Sequence, residues 1–138
     1  MILGLDISTS ITGYTILGDD GNILVCDHID LRKEKNFFKK IEIVCDRLES
    51  LDDAYSIEQV YIEQSLQSFR SGFSSAQTLS LLSKINGIVS WLCYNFFYKE
   101  PKYLAATSAR KLCGIKIPKG QKAKKVSLQF VVDNVPGF

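Results

Sequence analysis

The 138-residue sequence predicts an α/β fold with a five-stranded mixed sheet, flanked by helices. Short apolar runs of strand length alternate with longer segments of helical periodicity, which is the first indication. The second is the Gly-Asp-Asp-Gly-Asn segment at residues 18–22, whose Asp-Gly pair is typical of a hairpin turn. It makes the first three strands antiparallel, and the later strands, each preceded by a helix, are expected to run parallel. No linker or repeat interrupts the chain, so we expect a single domain over residues 1–138.

The first half of the chain contains four strands and one helix. Apolar runs at residues 2–7, 13–17 and 23–29 predict the three hairpin strands. Residues 33–51 have apolar side chains at helical spacing and charges on the other side, which predicts a helix. The segment "EQVYIEQS", residues 58–65, predicts the fourth strand.

A long helix without proline is predicted over residues 74–98. Its apolar surface is wider than the single stripe that a helix needs to cover one face of a sheet. The second stripe is explained either by burial on several sides within one chain or by a second copy of the chain. On the second explanation, the protein is a homodimer that associates through this helix.

The last part of the chain predicts one strand and two short helices. Residues 102–106 resemble a fifth strand, and Thr107 is predicted to cap a helix that runs to residue 113. The Pro-Lys-Gly sequence at residues 118–120 separates this helix from a final one at residues 121–132.

Charge is unevenly distributed along the chain. The net charge is only +2, so total charge does not predict a partner. Between Lys99 and Lys125, however, there are nine Lys or Arg residues and a single acid, Glu100. This segment predicts a basic surface at one end of the domain.

Cysteine and histidine residues predict no zinc site. The four cysteines, Cys26, Cys45, Cys93 and Cys113, are too far apart in the sequence for a metal-binding pair. The single histidine, His28, has no neighbour of either type. We see neither a signal peptide nor a membrane span, so we expect reduced thiols and a cytoplasmic protein.

Two carboxylates end apolar strands. Asp6 lies at the end of the first strand and Glu63 in the apolar run "VYIEQ" of the fourth. If these strands are neighbours, both side chains meet at the strand ends, where ligand sites of α/β sheets gather. Oxygen ligands without histidine or thiolate suit Mg²⁺, with Mn²⁺ as a substitute. The residues alone allow a second interpretation, in which Asp6 caps a turn and Glu63 forms a salt bridge.

The motifs around these acids resemble a known family. "GLDISTSITGY" (residues 4–14) followed by "YIEQS" is similar to the RuvC family of Holliday junction resolvases, within the RNase H-like superfamily. The similarity continues through "SSAQTLSLL", "TSARKLCG" and "KGQKAKKVSLQFV". The resemblance implies an RNase H-like fold, with Asp6 and Glu63 as the first two catalytic, metal-binding acids. It also implies a nucleic-acid contact at Thr12.

The basic segment and one loop supply the remaining candidate DNA contacts. Lysines beside a metal site would contact phosphates, whereas the alternative is a solvated helix face. The loop "SFRSGF" has exposed aromatic candidates that stack on unpaired bases, or that anchor the loop in the core. The candidates are Phe69, Arg70, Phe73, Arg110, Lys111, Lys119, Lys122, Lys124 and Lys125.

One feature departs from the RuvC pattern. That family has two further acidic or histidine positions at the start of a later helix, within a D-x-x-D-A stretch, and this sequence has none. Asp133 is the only late acid, and we expect it to be an exposed helix-end residue. The expectation is that the natural protein continues beyond Phe138 and that residues 1–138 lack this acidic helix.

The resemblance implies a magnesium-dependent crossover junction endodeoxyribonuclease that nicks four-way or other branched DNA. A homodimer would place two matched sites on a substrate of near two-fold symmetry. One alternative is a RuvC-like module that binds junctions without cutting them. A less favoured alternative is a phosphate-binding domain of the actin-like or sugar-kinase type, for which the chain is short.

Overall fold

A computed structural model describes residues 1–64 and 75–138. Within these residues the helices and strands are, in chain order, β1 (Ile2–Asp6), β2 (Ile11–Leu17), β3 (Ile23–Asp30), α1 (Phe37–Ala54), β4 (Gln59–Glu63), α2 (Ala76–Phe97), β5 (Lys102–Leu104), α3 (Ala106–Leu112) and α4 (Ala123–Asn134). Every predicted strand and helix is present in the predicted order, and the bounds differ by a few residues.

The five strands form one mixed sheet in the order β3-β2-β1-β4-β5. β1 and β3 each pair with β2 in the antiparallel sense, whereas β1, β4 and β5 are parallel. The predicted sheet is therefore confirmed. Because β3 is antiparallel to β2, it runs in the same direction as β1. The strands β1, β3, β4 and β5 thus all end at one edge of the sheet, which we call the carboxyl edge.

The turn between β2 and β3 follows the predicted hairpin chemistry. The amide of Gly18 donates to the carbonyl of Asn22 at 2.9 Å. Gly21 has a φ of 81°, a left-handed conformation that glycine adopts without a steric penalty. The Asp20 carboxylate accepts hydrogen bonds from the backbone and the side chain of Asn22. The turn holds β3 beside β2 and so directs β3 towards the carboxyl edge.

Helices α1 and α2 cover one face of the sheet and pack against each other. The core between sheet and helices contains fully buried aliphatic side chains from all these layers. They include Leu3, Ile16, Val44, Leu48, Val60, Ile62, Ile85 and Val89. Asp6 lies one residue beyond Leu5 in β1, and alternation along the strand directs its side chain away from this core.

Helix ends differ from the predictions where capping residues decide them. α1 begins at Phe37 rather than residue 33, because the side chain of Asn36 accepts a hydrogen bond from the amide of Lys39. The prediction that Thr107 caps α3 is wrong. That helix begins two residues earlier, at Ala106, with Ala105 at the cap position and no side-chain cap.

Helix α2 is only partly buried within the chain. Cys93 and Phe97 pack in the core, whereas Trp91, Tyr94 and Tyr98 are 60%, 51% and 83% exposed. The second apolar stripe predicted for this helix, Leu81, Trp91 and Phe97, does not face outward as a whole, because Leu81 is half-buried and Phe97 lies in the core. On another side of α2, Ser90 is hydrogen-bonded to Tyr103 of β5.

A chain of hydrogen bonds connects α2 to β5. The hydroxyl of Tyr103 donates to Ser90 Oγ at 2.8 Å, and Ser90 Oγ donates to the carbonyl of Asn86 at 2.6 Å. The Asn86 side chain in turn donates to the carbonyl of Leu82. These bonds satisfy the two buried polar side chains of the helix.

All four cysteines are free thiols, and burial raises the pKa of Cys93 to about 12. None of the helices in residues 1–64 and 75–138 has the length and apolarity that a bilayer crossing requires.

Candidate metal and nucleic-acid site

Asp6 and Glu63 are neighbours at the carboxyl edge. Leu5 of β1 pairs with Ile62 of β4 in parallel register, so Asp6 and Glu63 are the next residues on two hydrogen-bonded strands. Adjacent strands lie about 4.8 Å apart, so the two carboxylates lie side by side at this edge. Each is the last residue of its strand and reaches solvent. The prediction that the first and fourth strands are neighbours is confirmed.

Partial burial and mutual repulsion disfavour the charged forms of both acids. Desolvation raises the pKa of Asp6, and the nearby charge of Lys124 offsets part of this effect. Desolvation also raises the pKa of Glu63, and the negative charge of Asp6 raises it further, against the lowering effect of Arg110. A carboxylate pair of this kind attracts a cation, because a cation relieves the repulsion.

The turn after Asp6 is built from hydroxyl side chains. Thr12 Oγ1 donates to the carbonyl of Ser8 at 3.1 Å and accepts from the amide of Ser8 at 3.2 Å. Ser8 Oγ also lies 3.0 Å from Ser10 Oγ. Thr12 itself is fully buried. Its hydroxyl is used within the turn, and a contact between Thr12 and DNA stays a prediction.

Helix α1 supports the same turn from outside. Lys40 Nζ donates to the carbonyl of Thr9, and the amide of Leu31 donates to the carbonyl of Ser10 at 2.7 Å. Sequence reasoning missed the role of Lys40, because nothing in a helical lysine's sequence neighbourhood shows which carbonyl it reaches. The turn that follows Asp6 is thus fixed to the β3–α1 connection.

Of the predicted basic residues, Arg110 and Lys124 lower the pKa of the two acids through their charge. Arg110 is half-buried in α3 and acts on Glu63, whereas Lys124 is exposed in α4 and acts on Asp6. The remaining predicted cations are exposed, and none forms an ion pair with another residue that the structure describes. These are Lys111, Lys119, Lys122 and Lys125.

A shallow cleft beside α3 gathers part of this positive charge. It has a volume of about 340 Å³, and its lining includes Arg110, Lys111 and Lys116. Thr107 also lines it and supplies a hydroxyl group. The cleft therefore places hydrogen-bond donors, among them Arg110, in one concave surface.

Three predicted DNA contacts, Phe69, Arg70 and Phe73, lie outside the described residues. Asp133 is exposed near the end of α4 and accepts a hydrogen bond from Gln129 at 2.9 Å, as expected for a helix-end residue. His28 is also exposed, beside Asp27.

The donor set at the carboxyl edge suits magnesium. Among the described residues, no group of three or more His, Cys, Asp or Glu side chains is placed to hold a metal ion. Asp6 and Glu63 supply two carboxylates, whose oxygen atoms are hard ligands. Mg²⁺ is commonly bound by one or two carboxylates together with waters and substrate phosphates, so the pair fits this ion.

Comparisons with known proteins identify the fold. No family model and no curated protein matches the sequence. RuvC of T. thermophilus in complex with a Holliday junction substrate matches with a TM-score of 0.73 at 10% identity, over 95% of this chain and 76% of that chain. The fold is that of RuvC. A second Thermus thermophilus RuvC structure matches with a TM-score of 0.65 at 12% identity, over 95% and 78% of the two chains.

A eukaryotic protein has the same RuvC-like fold. The yeast mitochondrial Holliday junction resolvase Ydc2 matches with a TM-score of 0.57 at 14% identity. The match covers 96% of this chain and 60% of Ydc2, so the chain spans less than two thirds of that protein. At these identities the similarity establishes a RuvC-like fold, and the predicted five-stranded mixed sheet is confirmed.

Proposed function

We propose that the protein is a metal-dependent, structure-selective endodeoxyribonuclease that nicks four-way or other branched DNA. The observation that carries the proposal is the pairing of Asp6 and Glu63 at the carboxyl edge of a RuvC-like sheet, with Arg110 and Lys124 beside them. The neighbouring RuvC structure contains a Holliday junction, which supports branched DNA as the substrate class.

The arrangement assigns a separate task to each residue. Asp6 and Glu63 would hold Mg²⁺, which when bound activates water and stabilises a leaving oxygen in phosphodiester hydrolysis. Arg110 and Lys124 offset part of the negative charge of the carboxylates and would attract the DNA phosphate to them. The hydroxyl turn of Ser8 and Thr12 fixes the backbone that follows Asp6, which preserves the carboxylate geometry.

We also propose that the protein acts as a homodimer through α2. Trp91, Tyr94 and Tyr98 expose a row of aromatic side chains on the helix face that points away from the core. Gly87 lies one turn before Trp91 on the same side, and no atom lies within 4 Å of where its Cβ would be. A two-fold axis along this face would relate two sites to two strands of a junction.

A cleavage assay on a synthetic four-way junction with Mg²⁺ tests the proposal. We expect the protein to nick the junction and not a linear duplex of the same sequence. Asp6→Asn and Glu63→Gln are expected to abolish nicking and to leave junction binding unchanged or tighter, because each removes negative charge near phosphate. Asp133→Asn is the matched control, since it removes an exposed acid that lies outside the carboxylate pair. Unimpaired nicking by either site variant would overturn the assignment.

A junction-binding module without nuclease activity is the second candidate. The observation that favours it is the small number of acids at the carboxyl edge. Among the described residues, Asp6 and Glu63 are not joined by a third His, Cys, Asp or Glu that could hold a metal ion. The same assay separates the candidates. Tight, junction-selective binding with no nicking in Mg²⁺ or Mn²⁺ would support the binding module.

A further inference from the structure

A second basic segment lies between β3 and α1. Residues 32–40, which we call the α1 basic segment, contain five cations and one acid, Glu34. The functional site described above uses only one of its cations, Lys40, as a support for the turn after Asp6. The rest of the positive charge has no role there.

Three lysines of this segment are available to a ligand. Arg32 is bound by Asp30 through two side-chain hydrogen bonds of 2.9 and 2.7 Å. Lys33, Lys35 and Lys39 are exposed, and none of them forms an ion pair with a described residue. The acid within the segment, Glu34, accepts a hydrogen bond from the amide of Asn36 and is half-buried.

An exposed aromatic ring accompanies these lysines. Phe38 is 73% exposed at the start of α1, and its ring meets that of Phe37 edge-on at 5.8 Å. Aromatic side chains among cations offer a surface on which sugars or unpaired bases of a nucleic acid pack. The segment therefore combines exposed lysines with an exposed aromatic ring.

The sheet places this segment at the carboxyl edge, on the opposite side from α3. β3 and β5 are the two outer strands, and both end at the same edge as Asp6 and Glu63. The first is followed by the α1 basic segment and the second by Arg110 and the other cations of α3 and α4. The carboxylates of β1 and β4 thus lie between two basic surfaces.

The spacing of these surfaces suits a polyanion that crosses the site. Four inter-strand steps of about 4.8 Å separate the outer strands by roughly 19 Å. Duplex DNA carries one negative charge per about 1.7 Å of axis, so a stretch of this length carries roughly eleven charges. Cations on one side of the acids alone would leave much of this charge unbalanced.

We propose that Lys33, Lys35 and Lys39 form a second phosphate-binding surface, which holds a DNA arm on the β3 side of the carboxylates. This inference rests on the proposed function and adds a position for the substrate. Phosphate contacts of this kind supply affinity and orientation without reading sequence. The two surfaces together would hold the branch point over Asp6 and Glu63.

Binding to a four-way junction at several salt concentrations tests the inference. The test variant is Lys33→Gln/Lys35→Gln. The control is Lys84→Gln/Lys99→Gln, which removes the same charge from α2 and from the position before β5, at the edge of the sheet opposite Asp6 and Glu63. Each lost phosphate contact lowers the slope of log K against log salt by about 0.9, or roughly eightfold in affinity at 0.1 M salt relative to 1 M. We expect a slope lower by about 1.8 for the test variant and an unchanged slope for the control.

The rate of nicking at saturating DNA distinguishes a failure of the second phosphate-binding surface from a failure of the proposed nuclease function. The test variant is expected to nick at the wild-type rate once the DNA is saturating, because Asp6 and Glu63 are unchanged. Equal salt slopes for the test and control variants, in a wild-type protein that binds and nicks junctions, would overturn this inference alone. A wild-type protein that binds no DNA would overturn the proposed function and this inference with it. Both variants are checked for wild-type size by light scattering.

Discussion

Asp6 and Glu63 end adjacent parallel strands, and the negative charge of Asp6 raises the pKa of Glu63. The two acids are therefore coupled, and each makes the ionised form of the other less favourable. Lys124 and Arg110 reduce this effect without removing it. The repulsion between the two acids lowers the free energy of unfolding, and a cation bound between them would raise it again.

Neutral replacements at this pair should stabilise the fold at neutral pH. Burial raises the pKa of both acids, so the folded state holds these protons more tightly than the unfolded chain and stability falls as pH rises through that range. We expect Asp6→Asn to shift the urea midpoint upward at about pH 7.5. At about pH 3, where both states are largely protonated, the difference should shrink towards zero. A lower midpoint at neutral pH would show that the Asp6 charge is stabilising.

Magnesium should stabilise the wild-type fold through the same residues. A ligand that binds only the folded state raises stability by RT ln(1 + [L]/Kd), about 2.7 kcal/mol at a concentration of 100 times Kd. We expect the melting temperature to rise with added Mg²⁺ in the wild type and in Asp133→Asn. The double variant Asp6→Asn/Glu63→Gln should show no rise. An equal rise in all three proteins would mean that the ion binds elsewhere or acts as a salt.

The lysines at the start of α4, together with Lys122 at its cap position, should contribute to binding of every DNA shape. Lys122, Lys124 and Lys125 are exposed, and Lys124 lies near Asp6. Replacing all three with Ala should weaken binding to junction and linear duplex alike. The slope of log K against log salt should fall by about 0.9 for each phosphate contact that is lost. An unchanged slope would identify these residues as a solvated helix face.

The hydroxyl of Thr12 should matter for stability. Thr12→Val keeps the shape of the side chain but removes the atom that accepts from the amide of Ser8 and donates to its carbonyl. Leaving buried polar groups without partners costs about 1–3 kcal/mol. Thr12→Ser keeps the hydroxyl and serves as the control, and urea unfolding is the measurement. Equal stability of Thr12→Val and the wild type would show that water satisfies this turn.

The exposed aromatic row of α2 should determine the association state. Trp91→Glu places a charge at a side chain that is 60% exposed, so the fold should persist while a dimer through this face dissociates. Light scattering measures the mass, and circular dichroism checks the fold. Leu112→Glu is the control, because Leu112 is 79% exposed on α3. A monomeric wild type, or a Trp91→Glu variant that remains dimeric, would exclude this interface.

The strand-ending acids could be predicted from the sequence, because a carboxylate inside an apolar run is unusual and strand ends of parallel neighbours meet at one edge. The sheet followed from the hairpin turn at residues 18–22 and from the helices between later strands. These are local signals, and tertiary contacts did not overrule them. The start of α2 also follows a local signal. The helix is capped by Ser75 and begins at Ala76, two residues after the predicted start at residue 74.

Other features depend on contacts between distant residues. The burial of Thr12 is an example, because its strand β2 pairs with β1 on one side and with β3 on the other. The link from Lys40 to Thr9 spans 31 residues and leaves no periodic trace in the sequence. The start of α3 at Ala106 also escaped prediction, because that helix has no side-chain cap.

Burial is concentrated in the first part of the chain. The last residue of the described core is Phe97, and neither α3 nor α4 has a buried residue. In α4, the hydroxyl of Ser127 is shielded from solvent and has no hydrogen-bond partner among residues 1–64 and 75–138. Amide hydrogens of α3 and α4 should therefore exchange with deuterium through a partial opening, at a lower free energy than those of β1 and α2. A polyanion that contacts both the core part of the chain and helices α3 and α4 would slow this exchange. The amides whose deuterium uptake falls would then show where the polyanion binds.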